Sequence, residues 1–424
     1  MRVRVLVLGA TLVIVTVVLV GNLLGFSQHQ FATVDQEANE KDVYLDVFAV
    51  SSPTREVLLD AAVGRGISRD SYFRGENTPD DVLAMERPFL LKNYKNPCWH
   101  EADGNKTLRC LPYFHLMGVC KSGTSDLWNR MTKHPEIATP NAVMNKETHW
   151  WSWRRFGFDI WSQGDEIRHF DWYLSHFDSP ARKIEKTVIE KDGMEYHPII
   201  TGEGSPTVFW DLTGWDRIPQ NKDKTPEDAY LTPHCIKHLT PDAKLIVIFR
   251  DPTKRMYSDY LFLDIFKHEH NLSVEGFHQD VRRSIDMLDD CYSRRTQLAC
   301  LMDKELHMRI PVRLIVGMYD IFLEQWLKVF PPNQILVMTN EEYSLNLRTH
   351  LEGVYKFLGL SPLPDDEMER IIALPRFYET KNGKELGPML EKTADLLNDF
   401  YSKHNRQLSM RFNNHSKFLW STKP

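Results

Sequence analysis

The sequence predicts one α/β domain built on a parallel sheet, because short buried-strand patterns alternate with helical patterns. Residues 113–119, 244–249 and 335–339 are short, largely apolar runs of the kind found in strands that are buried on both faces. Strands that are separated by helices form a parallel sheet covered by helices on both sides. The predicted helices are residues 124–133, 321–330, 349–358 and 390–405.

Composition and charge narrow the class of protein. The chain has 424 residues, of which 42% are hydrophobic, which is enough for one large domain and a short accessory segment. The formal net charge of −6 argues against a general nucleic-acid binder, which would be basic. A local basic cleft for an anionic ligand is still compatible with an acidic surface. There is no cysteine pattern typical of a zinc site, so no metal is expected.

An apolar run at the N-terminus predicts a transmembrane signal anchor. Residues 5–26 are almost wholly apolar, and a helix needs roughly 20 such residues to cross a bilayer. Arg2 and Arg4 precede the run, so residues 1–4 are expected in the cytosol and the rest in the lumen, as in a single-pass type II protein. A cleaved signal peptide is the alternative, although its apolar region is shorter, roughly 7–15 residues.

The remaining chain divides into a stem and a domain that carry features of secreted proteins. Residues 27–86 are polar and mixed in charge, which indicates a stem, and the domain is expected over residues 87–424. Two close cysteine pairs, Cys98 with Cys110 and Cys291 with Cys300, are candidates for disulfides in an oxidising lumen, and Cys120 and Cys235 are left unassigned. Acceptor triplets for N-glycosylation begin at Asn105, Asn271 and Asn414.

The turn after the first predicted strand has the composition of a phosphate cradle. Residues 118–125 read Gly-Val-Cys-Lys-Ser-Gly-Thr-Ser and lead into a predicted helix, so backbone N–H groups of Ser122 and Gly123 and the helix N-terminus face one point. Lys121 adds a full charge, and Thr124 and Ser125 add hydroxyl donors. The lysine precedes the glycine, unlike the Walker A order, which weakens a kinase or ATPase interpretation. An ordinary strand-to-helix turn is the alternative.

A second anion-binding element follows the second predicted strand. Arg250 ends that strand, Asp251 and Pro252 begin a helix, and Ser258 lies two turns into it. Ligands bind at the carboxyl ends of parallel strands. Alternatively, Arg250 could pair with Asp251 or Asp259. Two separate elements indicate a nucleotide with phosphate at both ends, and 3′-phosphoadenosine 5′-phosphosulfate (PAPS) is such a molecule.

At these two segments the chain resembles the Golgi carbohydrate sulfotransferases, whose 5′- and 3′-phosphate elements they match. The similarity extends over residues 87–411 and is greatest to the branch that sulfates the 6-O position of N-acetylgalactosamine 4-sulfate in chondroitin sulfate. The resemblance implies the PAPS sulfotransferase fold, a P-loop-like central parallel sheet flanked by helices, and a location in the Golgi membrane. The matching segments are residues 146–151, 154–157, 202–207, 317–319, 326–330 and 386–389.

The sequence departs from the family pattern at two places. Cys120 and Ser122 flank the loop lysine where the branch pattern has Lys-Cys-Gly-Thr-Thr, a change between small residues that should keep the cradle. Thr148 stands where the pattern Lys-Glu-Pro-His has proline, which changes the turn next to Glu147.

The resemblance also implies catalytic roles. Glu147 matches the family's general base, and His149 is the second candidate or a residue that orients the sugar. Lys121 is expected to stabilise the charge that develops on the leaving phosphate, with help from Lys146. A structural salt bridge of Glu147 with Lys146 or Arg154 is the alternative to the role of base.

Aromatic and basic residues after Glu147 are candidates for acceptor binding. Trp151 could stack on a sugar ring, and Arg154 and Arg155 could hold sulfate or carboxylate groups. Lys384, in a basic loop at residues 381–384, could close over the 3′-phosphate, or the loop could be a solvated turn. The expected partner is a glycosaminoglycan, and the sequence is compatible with a homodimer. Rival functions are heparan-type O-sulfation, a P-loop nucleotide kinase and a non-catalytic glycan-binding membrane protein.

Overall fold

The computed structural model of the protein describes residues 79–102, 104, 106–158, 166–263, 273–377 and 386–420. The predicted cytosolic tail, the anchor at residues 5–26 and most of the stem therefore lie outside the described residues, as do Asn105, Asn271 and Lys384. Within the part that is described, no helix combines the length and the apolar character that crossing a membrane requires.

The centre of the molecule is a five-stranded sheet in which every pair of neighbouring strands is parallel. The strand order is β4-β7-β3-β8-β9. The chain therefore leaves β3 towards one edge and later returns to the other side of β3, which makes the carboxyl end of β3 a topological switch point. The strands are β1 (Cys98–His100), β2 (Leu108–Cys110), β3 (Phe114–Gly118), β4 (Ile137–Ala138), β5 (Ile189–Lys191), β6 (Met194–Tyr196), β7 (Ile200–Glu203), β8 (Lys244–Phe249) and β9 (Ile335–Thr339).

Helices lie between the strands, as the sequence predicts. The predicted helices form with shifted ends, and the last one extends to Arg411. In chain order the helices are α1 (Thr124–Met131), α2 (Phe170–Ser175), α3 (Asp178–Lys186), α4 (Thr232–Leu239), α5 (Pro252–Leu263), α6 (Val274–Tyr292), α7 (Gln297–Leu301), α8 (Lys304–Arg309), α9 (Tyr319–Leu327), α10 (Asn340–Leu345), α11 (Leu347–Phe357), α12 (Asp365–Ile372) and α13 (Glu391–Arg411).

Both faces of the sheet are buried, which explains why its central strands are apolar throughout. Along β8, Val247 packs into one apolar cluster and its neighbour Ile248 into the other, because successive side chains point to opposite faces. The first cluster includes Trp326 of α9 and Tyr401 of α13, and the second includes Leu127 of α1. The predicted α/β fold with a helix-flanked parallel sheet is confirmed.

Both predicted disulfides are present. Cys98 and Cys110 face each other across the antiparallel pair β1–β2, with their Cα atoms 4.0 Å apart. The other bridge, Cys291–Cys300, joins the end of α6 to α7. Residues 79–86, which the sequence assigns to the end of the stem, contact the domain, and Val82 is buried in its core.

Candidate active site

The phosphate loop, residues 118–125 at the junction of β3 and α1, is fixed by its backbone conformation and by a contact with the residue after β9. Lys121 and Gly123 have left-handed backbone conformations, with φ of 65° and 93°. A Cβ atom at Gly123 would lie 2.4 Å from the Nδ2 atom of Asn340, so only glycine fits. That amide donates a hydrogen bond to the Ser122 carbonyl oxygen at 2.9 Å, which fixes the loop against the end of β9. Thr124 is the first residue of α1, so the N-terminus of this helix follows the loop directly.

The Lys121 side chain extends towards α5, and its ammonium lies 4.2 Å from the centre of the Phe262 ring. Burial lowers the pKa of Lys121 to about 8, in opposition to the nearby Asp259 carboxylate, which favours the charged form. A desolvated lysine gains more from an arriving anion than a solvated one, because less water has to be displaced. This environment suits a phosphate-binding residue.

The second element lies beside the first because β3 and β8 are parallel neighbours. The Arg250 guanidinium donates from Nη1 to the Lys121 carbonyl oxygen at 3.0 Å, which connects the two loops directly. Asp251 instead caps α5, accepting from the Thr253 backbone N–H at 3.0 Å. Ser258 is partly exposed on α5.

Asp259, the other predicted alternative partner of Arg250, is engaged elsewhere. It is fully buried and pairs with Arg255 at 3.2 Å and with Arg313. The three side chains together carry one net positive charge. Asp259 raises the pKa of Lys121 and Arg313 lowers it, so this group acts electrostatically on the loop. Its charge favours binding of an anion there.

The predicted catalytic residues lie in a turn at residues 146–149, which we name the catalytic turn after that prediction, and this turn contacts the phosphate loop. The Lys146 side chain is 1% exposed, and its ammonium lies 2.5 Å from Glu147 Oε1 and 3.1 Å from the Ser125 hydroxyl. Glu147 Oε2 is 2.8 Å from His149 Nε2. The other nitrogen of that ring, Nδ1, lies 3.0 Å from the Thr207 hydroxyl. The structure thus brings Lys146, Glu147, His149 and Ser125 together.

The electrostatics of Glu147 depend on its two neighbours. Burial by itself would raise its pKa, but the Lys146 ammonium and the His149 ring outweigh burial and lower the pKa of Glu147 to about 2. The carboxylate is therefore ionised at neutral pH and able to accept a proton. The salt bridge with Lys146 that the sequence left open as an alternative does form.

The aromatic and basic residues after this turn differ from their predicted role. Trp151 is 2% exposed, and its indole N–H donates to the Tyr173 hydroxyl at 3.0 Å. Arg155 is also 2% exposed and lies over the rings of Trp150, Trp151 and Phe156. Neither side chain reaches the surface, because both belong to the core below the turn, so direct acceptor contact from them is not supported. Arg154 is only partly buried and lies 5.2 Å from the ring centre of Trp172.

Several site residues were missed by the sequence reasoning. Glu203 ends β7, Ser205 follows it, and both contact the backbone of the catalytic turn. Asn340 follows β9 and holds the phosphate loop. All three lie at or just beyond the carboxyl ends of sheet strands. For Asn340 that position follows a predicted strand and could have marked it as a candidate. For Glu203 and Ser205 the available signal is their place in the matching segment at residues 202–207. Gly204 is equally important, because a Cβ atom there would lie 2.1 Å from Lys146 Cγ.

Other predicted site residues are located as follows. Ser122 is fully buried, its backbone N–H donates to the Val119 carbonyl oxygen at 3.1 Å and its own carbonyl accepts from Asn340, so this residue shapes the loop. Asn414 is exposed just after α13, with Ser416 at the start of a short 3₁₀ turn. Among the described residues, no group of three or more His, Cys, Asp or Glu side chains could hold a metal ion.

In sequence, the chain is similar to known carbohydrate sulfotransferases. Human carbohydrate sulfotransferase 15 is 32% identical over 366 residues, which cover 82% of this chain and 64% of that protein. The bifunctional heparan sulfate N-deacetylase/N-sulfotransferase of Drosophila melanogaster is 26% identical over 336 residues, or 74% of this chain and 27% of that protein. The chain thus spans less than two thirds of the length of these relatives.

Among solved structures, a sulfotransferase from Alicyclobacillus acidocaldarius aligns with a TM-score of 0.45 and 21% identity, covering 73% of this chain and 98% of that one. Residues 112–411 match the family described as the sulfotransferase domain. This match includes the phosphate loop, the catalytic turn and the Arg250 element, and it spans more than half of the chain. The chain therefore belongs to the sulfotransferase domain family.

Proposed function

We propose that the protein transfers a sulfo group from PAPS to a hydroxyl of a glycosaminoglycan sugar. The observation that carries this proposal is the connection between three elements at one edge of the sheet. Arg250 is hydrogen-bonded to the backbone of Lys121, and Lys146 links the phosphate loop to Glu147. Two anion-binding elements and an ionised carboxylate at a single edge are what sulfo transfer from a nucleotide with two phosphate groups requires.

On the donor side, the phosphate loop and the N-terminus of α1 bind the 5′-phosphosulfate, with the backbone N–H of Gly123 and the hydroxyls of Thr124 and Ser125 as donors, while buried Ser122 keeps the loop in shape. Arg250 and Ser258 bind the 3′-phosphate, and Lys384, which lies outside the described residues, assists them. Lys121 neutralises the charge that builds up on the bridging oxygen as the sulfur–oxygen bond breaks. Lysine, arginine and backbone N–H groups supply the positive charge, so the proposed reaction uses no metal.

On the acceptor side, Glu147 takes the proton of the sugar hydroxyl while that oxygen forms its bond to sulfur. The products are a sulfate ester, 3′-phosphoadenosine 5′-phosphate (PAP) and a protonated Glu147. His149 donates to Glu147 through Nε2 and orients the carboxylate. The Lys146 ammonium is shared between Glu147 and the Ser125 hydroxyl, so an anionic donor in the loop competes for it. This competition raises the pKa of Glu147 and makes it a stronger base once the donor is bound.

The proposed acceptor is the 6-O position of N-acetylgalactosamine 4-sulfate in chondroitin or dermatan sulfate. This finer assignment is supported by the resemblance of residues 146–157 and by the greater identity to carbohydrate sulfotransferase 15 than to the heparan sulfate enzyme. Arg154, partly exposed beside the catalytic turn, is the proposed contact for an acidic group of the acceptor.

The proposed location is the Golgi membrane, with the domain in the lumen and residues 5–26 as anchor. Two disulfides in the described chain support an oxidising compartment. Asn414 is exposed and therefore accessible to glycosylation.

The direct test gives the purified protein ³⁵S-labelled PAPS and a panel of chondroitin, dermatan and heparan sulfates, followed by disaccharide analysis. We expect label at the 6-O position of 4-sulfated N-acetylgalactosamine. Label in heparan sulfate alone would overturn the acceptor while keeping the reaction. Absence of transfer, with glycan still bound, would favour a non-catalytic binding protein, and a requirement of Mg²⁺ for nucleotide binding would favour a kinase.

The base is tested with Glu147→Gln, which should lower turnover at least about 100-fold while PAP still binds. Asp320→Asn is the matched control, because Asp320 is also a buried carboxylate hydrogen-bonded to a histidine, His404, at 2.9 Å. If both variants lose activity equally, or if Glu147→Gln keeps full turnover, Glu147 is not the base.

A further inference from the structure

A second carboxylate, Glu203, lies directly beneath the catalytic turn. It is the last residue of β7 and is 0% exposed. Its Oε1 atom accepts hydrogen bonds from the Thr148 backbone N–H at 3.2 Å, from the Thr148 hydroxyl at 3.0 Å, from the Ser205 N–H at 3.2 Å and from the Ser205 hydroxyl. Burial favours the neutral acid, but the nearby His115 ring and the Ser205 donors outweigh it and lower the pKa of Glu203.

Through these contacts, Glu203 holds the backbone of Glu147 and His149, the neighbours of Thr148 in the sequence. Thr148 lies between Glu147 and His149, so fixing its N–H and hydroxyl fixes the backbone from which both catalytic side chains extend. The Ser205 hydroxyl, itself bonded to Glu203, accepts the His149 backbone N–H at 2.7 Å. His149 has a φ of 50°, a conformation that a non-glycine residue rarely adopts, so this turn needs such external support.

We propose that Glu203 is a positioning residue for the reaction, acting on Glu147 and His149 through Thr148 and Ser205. The proposal rests on the proposed function, in which Glu147 is the base. Glu203 touches no reacting atom. Its role is to keep the base and its histidine partner in the geometry that the acceptor hydroxyl requires, since small displacements of a catalytic group are costly in rate.

Thr148 is a position at which this chain departs from the family pattern. The family pattern predicts proline at this position, and proline has neither an N–H group nor a hydroxyl. With proline, Glu203 would keep only the donors of Ser205, and the ring would itself restrict the turn. Threonine supplies two donors instead, so here the turn is fixed by hydrogen bonds to a buried carboxylate. The catalytic turn of this protein therefore depends on a side chain outside its own segment.

The mildest perturbation is Thr148→Val, which removes the hydroxyl and keeps the shape and the backbone N–H. Thr201→Val is the matched control, because Thr201 is also fully buried, lies on β7 two residues before Glu203, and has a hydroxyl without a hydrogen-bond partner in the described part of the chain. Thr148→Val removes two hydrogen bonds, because the Thr148 hydroxyl donates to Glu203 and also accepts the Trp150 backbone N–H at 3.2 Å. We expect it to lower kcat at least about tenfold, with the Kd for PAP unchanged within about twofold. Thr148→Ser restores the hydroxyl and should recover most of kcat, whereas Thr201→Val should leave kcat and Kd unaltered.

A double-mutant cycle separates this proposal from the proposed role of Glu147. If Thr148 acts through Glu147, the Thr148→Val change should cost nothing further in a Glu147→Gln background. Equal kcat for Thr148→Val and Thr201→Val, or a full additional loss in the Glu147→Gln background, overturns the positioning role. Full turnover of Glu147→Gln alone would instead overturn the base on which the proposal rests. Glu203→Gln should lower kcat at least as much as Thr148→Val. Its kcat is interpreted when the Tm of this variant is close to that of the unchanged protein.

Discussion

The pKa of Lys121, about 8, predicts that binding of PAP weakens steeply as the pH rises through the range of 7 to 9. Burial lowers this pKa below the ordinary lysine value, and only the ammonium form attracts the 5′-phosphate. The protonated fraction of such a group falls from about 90% at pH 7 to about 10% at pH 9. If only the charged form binds tightly, the Kd for PAP should therefore rise about tenfold over these two pH units.

Other groups near Lys121 do not change charge in the same range. The pKa of Asp259 is lowered below its usual value against the effect of burial by Arg313 and Arg255, so this carboxylate stays ionised. Burial raises the pKa of the Cys120 thiol above its usual range, and Arg250 remains a cation. The phosphate monoester of PAP has its second pKa near 6, so the ligand is already a dianion at pH 7.

The assay is isothermal titration of PAP at pH 7, 8 and 9 in buffers of different ionisation enthalpy, which also reports proton uptake. At pH 8, binding should take up about half a proton per PAP, because half of the lysine is neutral before binding and all of it is charged afterwards. Lys121→Arg is the control, since arginine stays charged, and its Kd should be nearly flat with pH. A tenfold rise in Kd that persists in Lys121→Arg would refute the reasoning, because the titrating group would then be another one.

Two further predictions concern the loop and the hairpin. Gly123→Ala should weaken PAP binding by at least about tenfold, since the added Cβ meets Asn340 Nδ2 at 2.4 Å in a strained backbone conformation. Gly193→Ala is the control in the same calorimetric assay, because Gly193 has a similar φ of 75° but open space around it. This variant should bind PAP normally. Replacing Cys98 and Cys110 by alanine should lower the free energy of unfolding by about 3 kcal/mol, the value expected for a loop of this length, and an unchanged urea midpoint would contradict that.

The strands that could be predicted from the sequence are those whose apolar run coincides with a place in the sheet that is covered on both faces. β8 and β9 are continuous apolar runs because the sheet is covered on both faces at their positions. β7 could not be predicted in this way, because Gly202 and Glu203 interrupt any apolar pattern over its four residues. It is a strand because it pairs with β3, where the Phe114 ring packs on the Cα atom of Gly202.

The same distinction applies to the site. The strand-to-helix turns at Lys121 and Arg250 could be predicted because each is local to one strand and the helix that follows it, and the structure brings the two turns into contact. The contribution of Asn340 to the loop could not, since it comes from a residue 218 positions away in the chain. The sequence between Glu147 and Gly157 predicts a turn that carries the proposed base, but it cannot tell an aromatic residue that faces a ligand from one that fills the core. Trp151 and Arg155 are in the core, where they pack against each other.

From the sequence, Glu147 is either the general base or the partner in a structural salt bridge, and the structure shows that it forms the salt bridge with Lys146. A carboxylate with a pKa of about 2 is a weak base, so a permanent pair with lysine would hinder proton transfer. Lys146 is buried, however, and its ammonium also contacts Ser125 of the phosphate loop. In the proposed reaction the donor binds beside that hydroxyl and draws the ammonium away from Glu147, so the basicity of Glu147 increases only when a sulfo group is in place to be transferred. The salt bridge and the base are then two states of one residue, and the binding of the donor is what separates them.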